Sequence, residues 1–349
     1  MLRAEYKKHV LYFKRPAGTS RGVLRRKTSF YITVRDDENP EIKGVGECST
    51  IKGLSIDPWD RYEEKLGEVC RNINYYTAEL QEGLNDFPSI RFGLETALFD
   101  FQRGGRHILF PSDFTSGRDG IKINGLIWMG SFDFMKQQIK DKLDKGFECI
   151  KIKIGAIDFD SEIELLKMIR KEYGNKVLEL RTDANGAFSA REALEKLKRL
   201  SDFDIHSIEQ PISQNQWEEM ARLCENSPVP IALDEELIGI NSEKEISKML
   251  DTIKPQYIIL KPSLIGGFAI AKRYITEAEK RDTGWWLTSA LESNIGLNAL
   301  AQWIYQWENP LPQGLGTGQL FTNNIESPLY LDNDTLMFDP DAKWGDING

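Results

Sequence analysis

The chain has 349 residues, 40% of them hydrophobic and 28% charged, with a formal net charge of −9. That size suits one large domain or a barrel with a smaller companion, and the composition excludes a disordered chain. The acidic balance argues against a nucleic-acid partner, and the lack of a 20-residue apolar run or a signal-peptide pattern at Met1–Arg15 argues against a membrane one. The expected setting is cytoplasmic.

Taken in chain order, Leu11–Phe13, Ser29–Val34 and Gly44–Cys48 read as strands of an antiparallel sheet, followed by helices near Arg61–Asn74 and Ile90–Gln102. From Ile121 onward a strand-then-helix unit repeats. The strand candidates are Ile121–Ile127, Phe147–Ile154, Val177–Asp183, Asp204–Glu209, Pro230–Asp234, Gln256–Lys261 and Trp285–Ser289, with Gln313–Thr317 as a short eighth. Phe159, Ile163, Leu166, Ile169 and Tyr173 recur at helical spacing between them. So do Ala190, Ala193, Leu194, Leu197 and Leu200, opened by a capping box of Ser189 and Glu192. Further helices are expected at Glu243–Asp251, Gly267–Arg281 and Asn294–Trp307, and a late hairpin at Leu329–Phe338.

This pattern predicts an α/β fold: a modified (β/α)8, or (β/α)7β, TIM-type barrel over 116–318 with an α+β capping domain. The cap would comprise 1–115, completed by the carboxyl-terminal 319–349. No glycine-rich phosphate turn follows the first strand, as an open doubly wound sheet would usually show.

Cys48, Cys70, Cys149 and Cys224 lie far apart with no CxxC pair, which argues against a zinc site or disulfide framework. Three scattered histidines (His9, His107, His206) cannot build a histidine metal site or triad, so carboxylates and lysines must carry any chemistry. Strand alternation turns Ile150, Ile152 and Ile154 to the helices, and Lys151 and Lys153 to the barrel interior. By the same rule Asp183, Glu209, Asp234 and Lys261 face inward at the carboxyl ends of their strands, where barrel enzymes keep their active sites. The steps from Lys153 to Asp183 (30 residues), Glu209 (26), Asp234 (25) and Lys261 (27) each match one βα unit.

Three carboxylates converging from adjacent strands would repel one another unless a cation sat among them, and an oxygen-only ligand set suits Mg²⁺, with Mn²⁺ a possible substitute. Lys153 and Lys261 fall on opposite strands, one on either side of such a cation. This arrangement suits removal of the weakly acidic proton beside a substrate carboxylate: the cation steadies the developing enediolate and a lysine takes the proton. A free lysine titrates at roughly 10.4, so neighbouring cations must lower it, and Lys151 is placed to contribute. Glu179 and Glu235 fit equally well as structural residues, a cap or a salt-bridge partner, and as part of the site.

At these residues the sequence resembles the enolase superfamily, in its muconate-lactonizing-enzyme-like subgroup. The matching segments are Lys151-Ile152-Lys153, Asp183-Ala184-Asn185-Gly186, Glu209-Gln210-Pro211, Asp234-Glu235, Lys261-Pro262-Ser263 and, in the cap, Gly44-Val45-Gly46-Glu47-Cys48. The resemblance implies Asp183, Glu209 and Asp234 as metal ligands and Lys153 and Lys261 as the paired catalytic lysines, acting on a small-molecule carboxylate. Thr19-Ser20-Arg21-Gly22-Val23-Leu24 looks like a mobile substrate loop, with Gly18–Arg21 expected to close over the substrate. Arg181-Thr182-Asp183, Ser289-Ala290-Leu291-Glu292-Ser293 and Gly314–Gly318 look like segments of a branch that dehydrates a cyclohexadiene carboxylate. Lys151, Arg181, Asn185, Ser289, Glu292, Ser20 and Arg21 are thereby implied as substrate-binding or supporting residues. Rival readings are a dipeptide epimerase, an N-acylamino-acid racemase, or a barrel kept as a binding protein. Epimerases usually carry Asp-x-Asp at the eighth strand, and Gly316-Thr317-Gly318-Gln319 contains no acid. Nothing in the sequence sets the oligomeric state.

Overall fold

A computed structural model describes residues 1–19, 22–80, 83–155 and 157–347. The amino-terminal part forms an antiparallel sheet of β1 (Leu2–Thr19), β2 (Gly22–Asp36) and β3 (Lys43–Ser49), in that order. Alternation along β2 buries Phe30, Ile32 and Val34 against helices α1 (Tyr62–Arg71), α2 (Ile73–Ala78) and α3 (Pro88–Gln102). Tyr31 packs on the other face with Val45 of β3. The glycines of β3 let α3 lie directly on the strand: a Cβ at Gly46 would stand 1.9 Å from the Gly93 carbonyl oxygen. The short strands expected at Leu11–Phe13 and Ser29–Val34 are thus the apolar middles of much longer ones, whose polar ends pair in register from Leu2–Asp36 onward.

The barrel strands are β5 (Gly125–Ile127), β6 (Cys149–Lys153), β7 (Glu179–Asp183), β8 (Ile205–Glu209), β9 (Ile231–Leu233), β10 (Tyr257–Leu260) and β11 (Gly284–Leu287), all parallel and adjacent in chain order. The first expected strand is split. Its opening, β4 (Ile121–Lys122), pairs antiparallel with β13 (Thr335–Phe338) of the terminal hairpin, whose other arm is β12 (Leu329–Asp332). The eighth strand contracts to two parallel bridges, Gln313 with Ile123 and Gly314 with Thr288, which close the sheet on itself.

Seven helices cover the outside: α4 (Phe132–Leu143), α5 (Phe159–Glu172), α6 (Ala190–Ser201), α7 (Trp217–Asn226), α8 (Glu243–Ile253), α10 (Phe268–Glu279) and α11 (Asn294–Tyr305), with a single turn α9 (Pro262–Ile265) after β10. Two of them, α4 and α7, lie where the apolar repeat is too sparse to announce a helix: each buries only two or three side chains. Ser189 stands at the N-cap of α6 with extended dihedrals but its hydroxyl bonds no helix amide, so only half of the expected capping box forms: Glu192 reaches back to Ser189 and also pairs with Lys196. Ile150, Ile152, Leu180, Ile208, Leu233 and Leu260 share one buried cluster with the helices, each contributing about 1.5–3 kcal/mol of transfer free energy. Inside the barrel a separate small cluster of Ala232, Ile259 and Trp286 fills the lower interior.

Cap and barrel are joined by long-range hydrogen bonds. Glu95 of α3 accepts the Phe268 and Ala269 amides at the start of α10, at 2.5 and 3.1 Å. Gln302 of α11 accepts the Leu109 and Phe110 amides at 2.8 and 3.0 Å. The first strand is also stitched to the end of the chain: Asn323 donates to the Val10 carbonyl at 2.7 Å, the Thr322 amide to Tyr12 and the Lys14 amide to Leu320.

Candidate active site

Alternation along β6 places Lys151 and Lys153 inside the barrel, almost fully buried. Lys153 Nζ donates to Asp183 Oδ2 and Asn185 Oδ1, both at 2.8 Å. Lys151 Nζ bridges Asp183 Oδ2 at 3.1 Å and Glu209 Oε2 at 2.5 Å. Across the opening, Lys261 Nζ pairs closely with Asp234 and meets Glu209 Oε1 at 3.5 Å. The strand register explains the convergence, since Lys153 pairs with Asp183 and Asp183 with Glu209. Just past the strand ends, Asn185, Gln210 and Leu291 all take positive φ (45°, 38° and 64°), a conformation uncommon for non-glycine residues. Hydrogen bonds hold the first two there. Asn185 donates to Glu235 at 3.1 Å, and Gln210 Oε1 accepts the Asp234 and Glu236 amides at 3.2 and 3.3 Å.

Burial alone would raise the Asp183 carboxyl, but Lys153, Lys151 and Lys261 together hold it well below the usual carboxylate range. Asp234 goes the other way: burial pushes it well up, and Glu235 and Glu209 add to the rise against Lys261. Desolvation would lower Lys151 and Lys261, yet the carboxylates outweigh it and raise both ammonium groups. Lys151, the cation placed beside the Lys153 base, is therefore itself held charged by Asp183 and Glu209.

As they stand, Asp183, Glu209 and Asp234 do not close round a point; among the described residues no three acidic, thiol or imidazole groups do. The lysine ammonium groups bridge them instead. The donor set nonetheless fits a hard divalent cation. Four buried acids (Asp183, Glu209, Asp234, Glu235) face three lysines, and Glu209 Oε1 is buried without a hydrogen-bond partner. A cation held by the three strand-end carboxylates would supply the missing positive charge.

The lysines open into a cavity of about 910 Å³, its mouth included. Barrel residues Asn124, Leu126, Trp128, Lys151, Lys153, Asn185, Lys261, Thr288 and Ser289 line one side, and Leu24, Ile51, Lys52 and Leu54 from the cap line the other. Ser289 is thus at the wall, whereas Glu292 is fully buried behind it, accepting the Ser289 hydroxyl at 2.5 Å and the Ser263 hydroxyl. Arg181 is not at the wall. It lies one layer below, with Nε on Glu179 at 2.7 Å, one terminal nitrogen on the Pro312 carbonyl at 2.8 Å, and the guanidinium 4.3 Å above the Trp286 ring. Glu179, which the sequence left open, is its salt-bridge partner. Ser20 and Arg21 lie outside the described residues, although Leu24 beside them reaches the cavity.

Sequence reasoning missed Lys52, Asn124, Trp128 and Thr288. Strand alternation from Trp286 would have found Thr288. Lys52 sits in a turn after β3 and carries no periodic signal. The side-chain oxygens of Asn124 and Thr288 are buried without partners at the cavity wall, placed to hydrogen-bond a bound molecule.

A barrel with a charged carboxyl-end rim and a cap over it defines a class, and the chain belongs to the Enolase C-terminal domain-like family, whose model matches residues 135–337. It is 49% identical to o-succinylbenzoate synthase of Desulfotalea psychrophila (strain LSv54 / DSM 12343), over 95% of this chain and 97% of that one. The crystal structure of MenC from Desulfotalea psychrophila LSv54 superposes with a TM-score of 0.85 at 45% identity, covering 96% of this chain and 99% of that one. The dipeptide epimerase from Enterococcus faecalis V583, complexed with Mg and the dipeptide L-Leu-L-Tyr, has a TM-score of 0.83 at 17% identity, covering 96% of each chain, and so shares the fold.

Proposed function

We propose that this chain removes water from 2-succinyl-6-hydroxy-2,4-cyclohexadiene-1-carboxylate to give 2-succinylbenzoate, the o-succinylbenzoate synthase reaction of menaquinone biosynthesis. The observation that carries the reading is the pair Lys153 and Lys261, reaching one cavity from opposite strands with three buried carboxylates between them. The near-half identity to a synthase along the whole chain supplies the substrate.

In this reading neutral Lys153 takes the proton from the ring carbon bearing the carboxylate, and the C–H electron pair passes into the carboxylate as an enediolate. The pair returns to the ring as the C–O bond to the hydroxyl breaks. The Lys153 ammonium then gives its proton to the departing hydroxide, which leaves as water, so one group acts as base and acid on the same face. Asn185 Oδ1 and Asp183 hold the Lys153 nitrogen in place. Lys261, held between Asp234 and Glu209, steadies the developing negative charge from the other face. Asp183, Glu209 and Asp234 would hold Mg²⁺, which would supply Lewis-acid stabilisation of the carboxylate. Lys151 fixes Asp183 and Glu209 relative to each other. The four cysteines are unpaired thiols, which suits a cytoplasmic enzyme.

Two reachable lysines also suit racemisation of an N-acylamino acid, whereas a dipeptide ammonium finds no acid at Gly316 or Thr317 on the wall. An absorbance assay with the cyclohexadiene, with and without Mg²⁺, tests the reading. Fast magnesium-dependent aromatisation is expected. A folded, metal-loaded protein that turns over only N-acylamino acids would replace it.

A further inference from the structure

Two glutamates of the cap each close the amino terminus of a barrel helix. Glu95 does so for α10 and Glu47 for α11. Glu47 Oε1 accepts the Ser293 amide at 3.0 Å, and Oε2 accepts the Ser293 hydroxyl at 2.6 Å and the Gly296 amide at 3.0 Å. Both helices carry a glycine where the carboxylate arrives. A Cβ at Gly296 would stand 2.9 Å from Glu47 Oε2, and one at Gly267 2.3 Å from Glu95 Oε2. The two joints are built alike, yet their neighbourhoods differ.

Glu47 is fully buried on β3, five residues before the Lys52 turn that lines the cavity. It also accepts the Ser29 hydroxyl of β2 at 2.6 Å. Lys27, three residues from Leu24 at the cavity, donates to Ser29 and Ser49, and its desolvated ammonium faces the charges of Glu47 and Glu292. On the barrel side, Ser293 lies two residues after the wall segment Ser289–Leu291. Glu47 therefore ties the cap segments that form one side of the cavity to the barrel segment that forms the other. Glu95 joins α3 to α10, neither of which contributes to the cavity wall.

We propose that Glu47 is a positioning residue that sets how tightly the cavity grips the part of the substrate remote from the reacting carbon. It does so by holding the Ile51–Leu54 side and the Ser289–Leu291 wall as one rigid unit. This rests on the reading of the cavity as the substrate site.

The test compares Glu47→Gln and Glu47→Ala with the matched Glu95→Gln and Glu95→Ala in the full-length, Mg²⁺-loaded protein. With the cyclohexadiene substrate, Glu47→Ala should raise KM roughly tenfold while kcat stays within about threefold, and Glu95→Ala should move KM less than about twofold. Hydrogen–deuterium exchange supplies a readout that needs no substrate. Segments 50–54 and 289–293 should exchange faster together in Glu47→Gln and stay protected in Glu95→Gln. If Glu47→Ala does not fold, Glu47→Gln carries both measurements. An unchanged KM in a folded Glu47 variant, an equal rise in the Glu95 variants, or faster exchange confined to α11 overturns the proposal. Absence of turnover in the unsubstituted protein would instead count against the proposed reaction, and the exchange experiment would still decide the role of Glu47.

Discussion

The upper and lower halves of the barrel interior are built from the same strands by the same alternation, and they end in opposite electrostatic states. In the lower half the Arg181 guanidinium is matched by Glu179, seated on a carbonyl and stacked on Trp286, with His206 packed edge-on to that ring 6.1 Å away. At the rim, two residues further along each strand, four acids share three ammonium groups and one buried carboxylate oxygen has no hydrogen bond. The lower half balances its charge, Arg181 against Glu179, although a terminal nitrogen of Arg181 and the indole nitrogen of Trp286 are buried without hydrogen-bond partners. The rim is arranged for a partner that brings positive charge.

That contrast can be broken most directly at the rim. Lys153→Ala should lower turnover about 10³- to 10⁴-fold with the circular dichroism spectrum unchanged. Retained activity would remove Lys153 from the chemistry. Next in size, Mg²⁺ at 100 times its Kd should stabilise the protein by about 2.7 kcal/mol, read as a rise in Tm, and Asp234→Asn should abolish most of that rise. A Tm indifferent to Mg²⁺ would mean that the rim is not a cation site. In the lower half the expectation reverses. Arg181→Met should cost roughly 2–3 kcal/mol of stability, discounted because Glu179 is partly exposed, and change kcat less than about tenfold. A collapse of kcat with stability intact would show that the lower half takes part in the chemistry.

The finest test is the sign of a pH dependence in metal-free protein. Burial raises Glu179, but Arg181 and His206 outweigh it and set its pKa below the usual value, so its stabilisation is present above about pH 4.5 and fades as pH falls through the folded value. Asp234 is raised, so its contribution is present at low pH and is lost as pH climbs above its ordinary value of 3.8. Denaturation midpoints across pH should therefore show Asp234→Asn gaining on the unsubstituted protein as pH rises and Glu179→Gln falling behind. Parallel curves for the two variants would erase the distinction.

Much of this was legible from residues because a barrel strand has period two and its charged residues recur once per βα unit. Lys153, Asp183, Glu209, Asp234 and Lys261 each end a strand whose outward residues are aliphatic, so position and facing were fixed together. The cap's share of the cavity was not legible. Leu24, Ile51, Lys52 and Leu54 reach the site from turns and strand ends with no repeat, and their neighbours in space come from other parts of the chain. Arg181 shows the limit of facing alone: alternation places it inside the barrel, but only the register reveals that it belongs to the lower layer. The split of Ile121–Ile127 was equally hidden, because Ile121, Ile123 and Ile127 share one parity as in a single strand and the partner of its first half is a hairpin more than 200 residues away.

The stitching of the first strand to the last part of the chain has a consequence for synthesis. Val10 waits for Asn323, 313 residues later, and Tyr12 and Lys14 wait for Thr322 and Leu320. A ribosome adding on the order of 5–20 residues per second leaves β1 without those partners for tens of seconds. The barrel can assemble from neighbouring units in that interval, but the strand pair that brings Leu24 to the cavity is fastened only after Asn323 has been made. The first strand made is therefore among the later ones to be fastened.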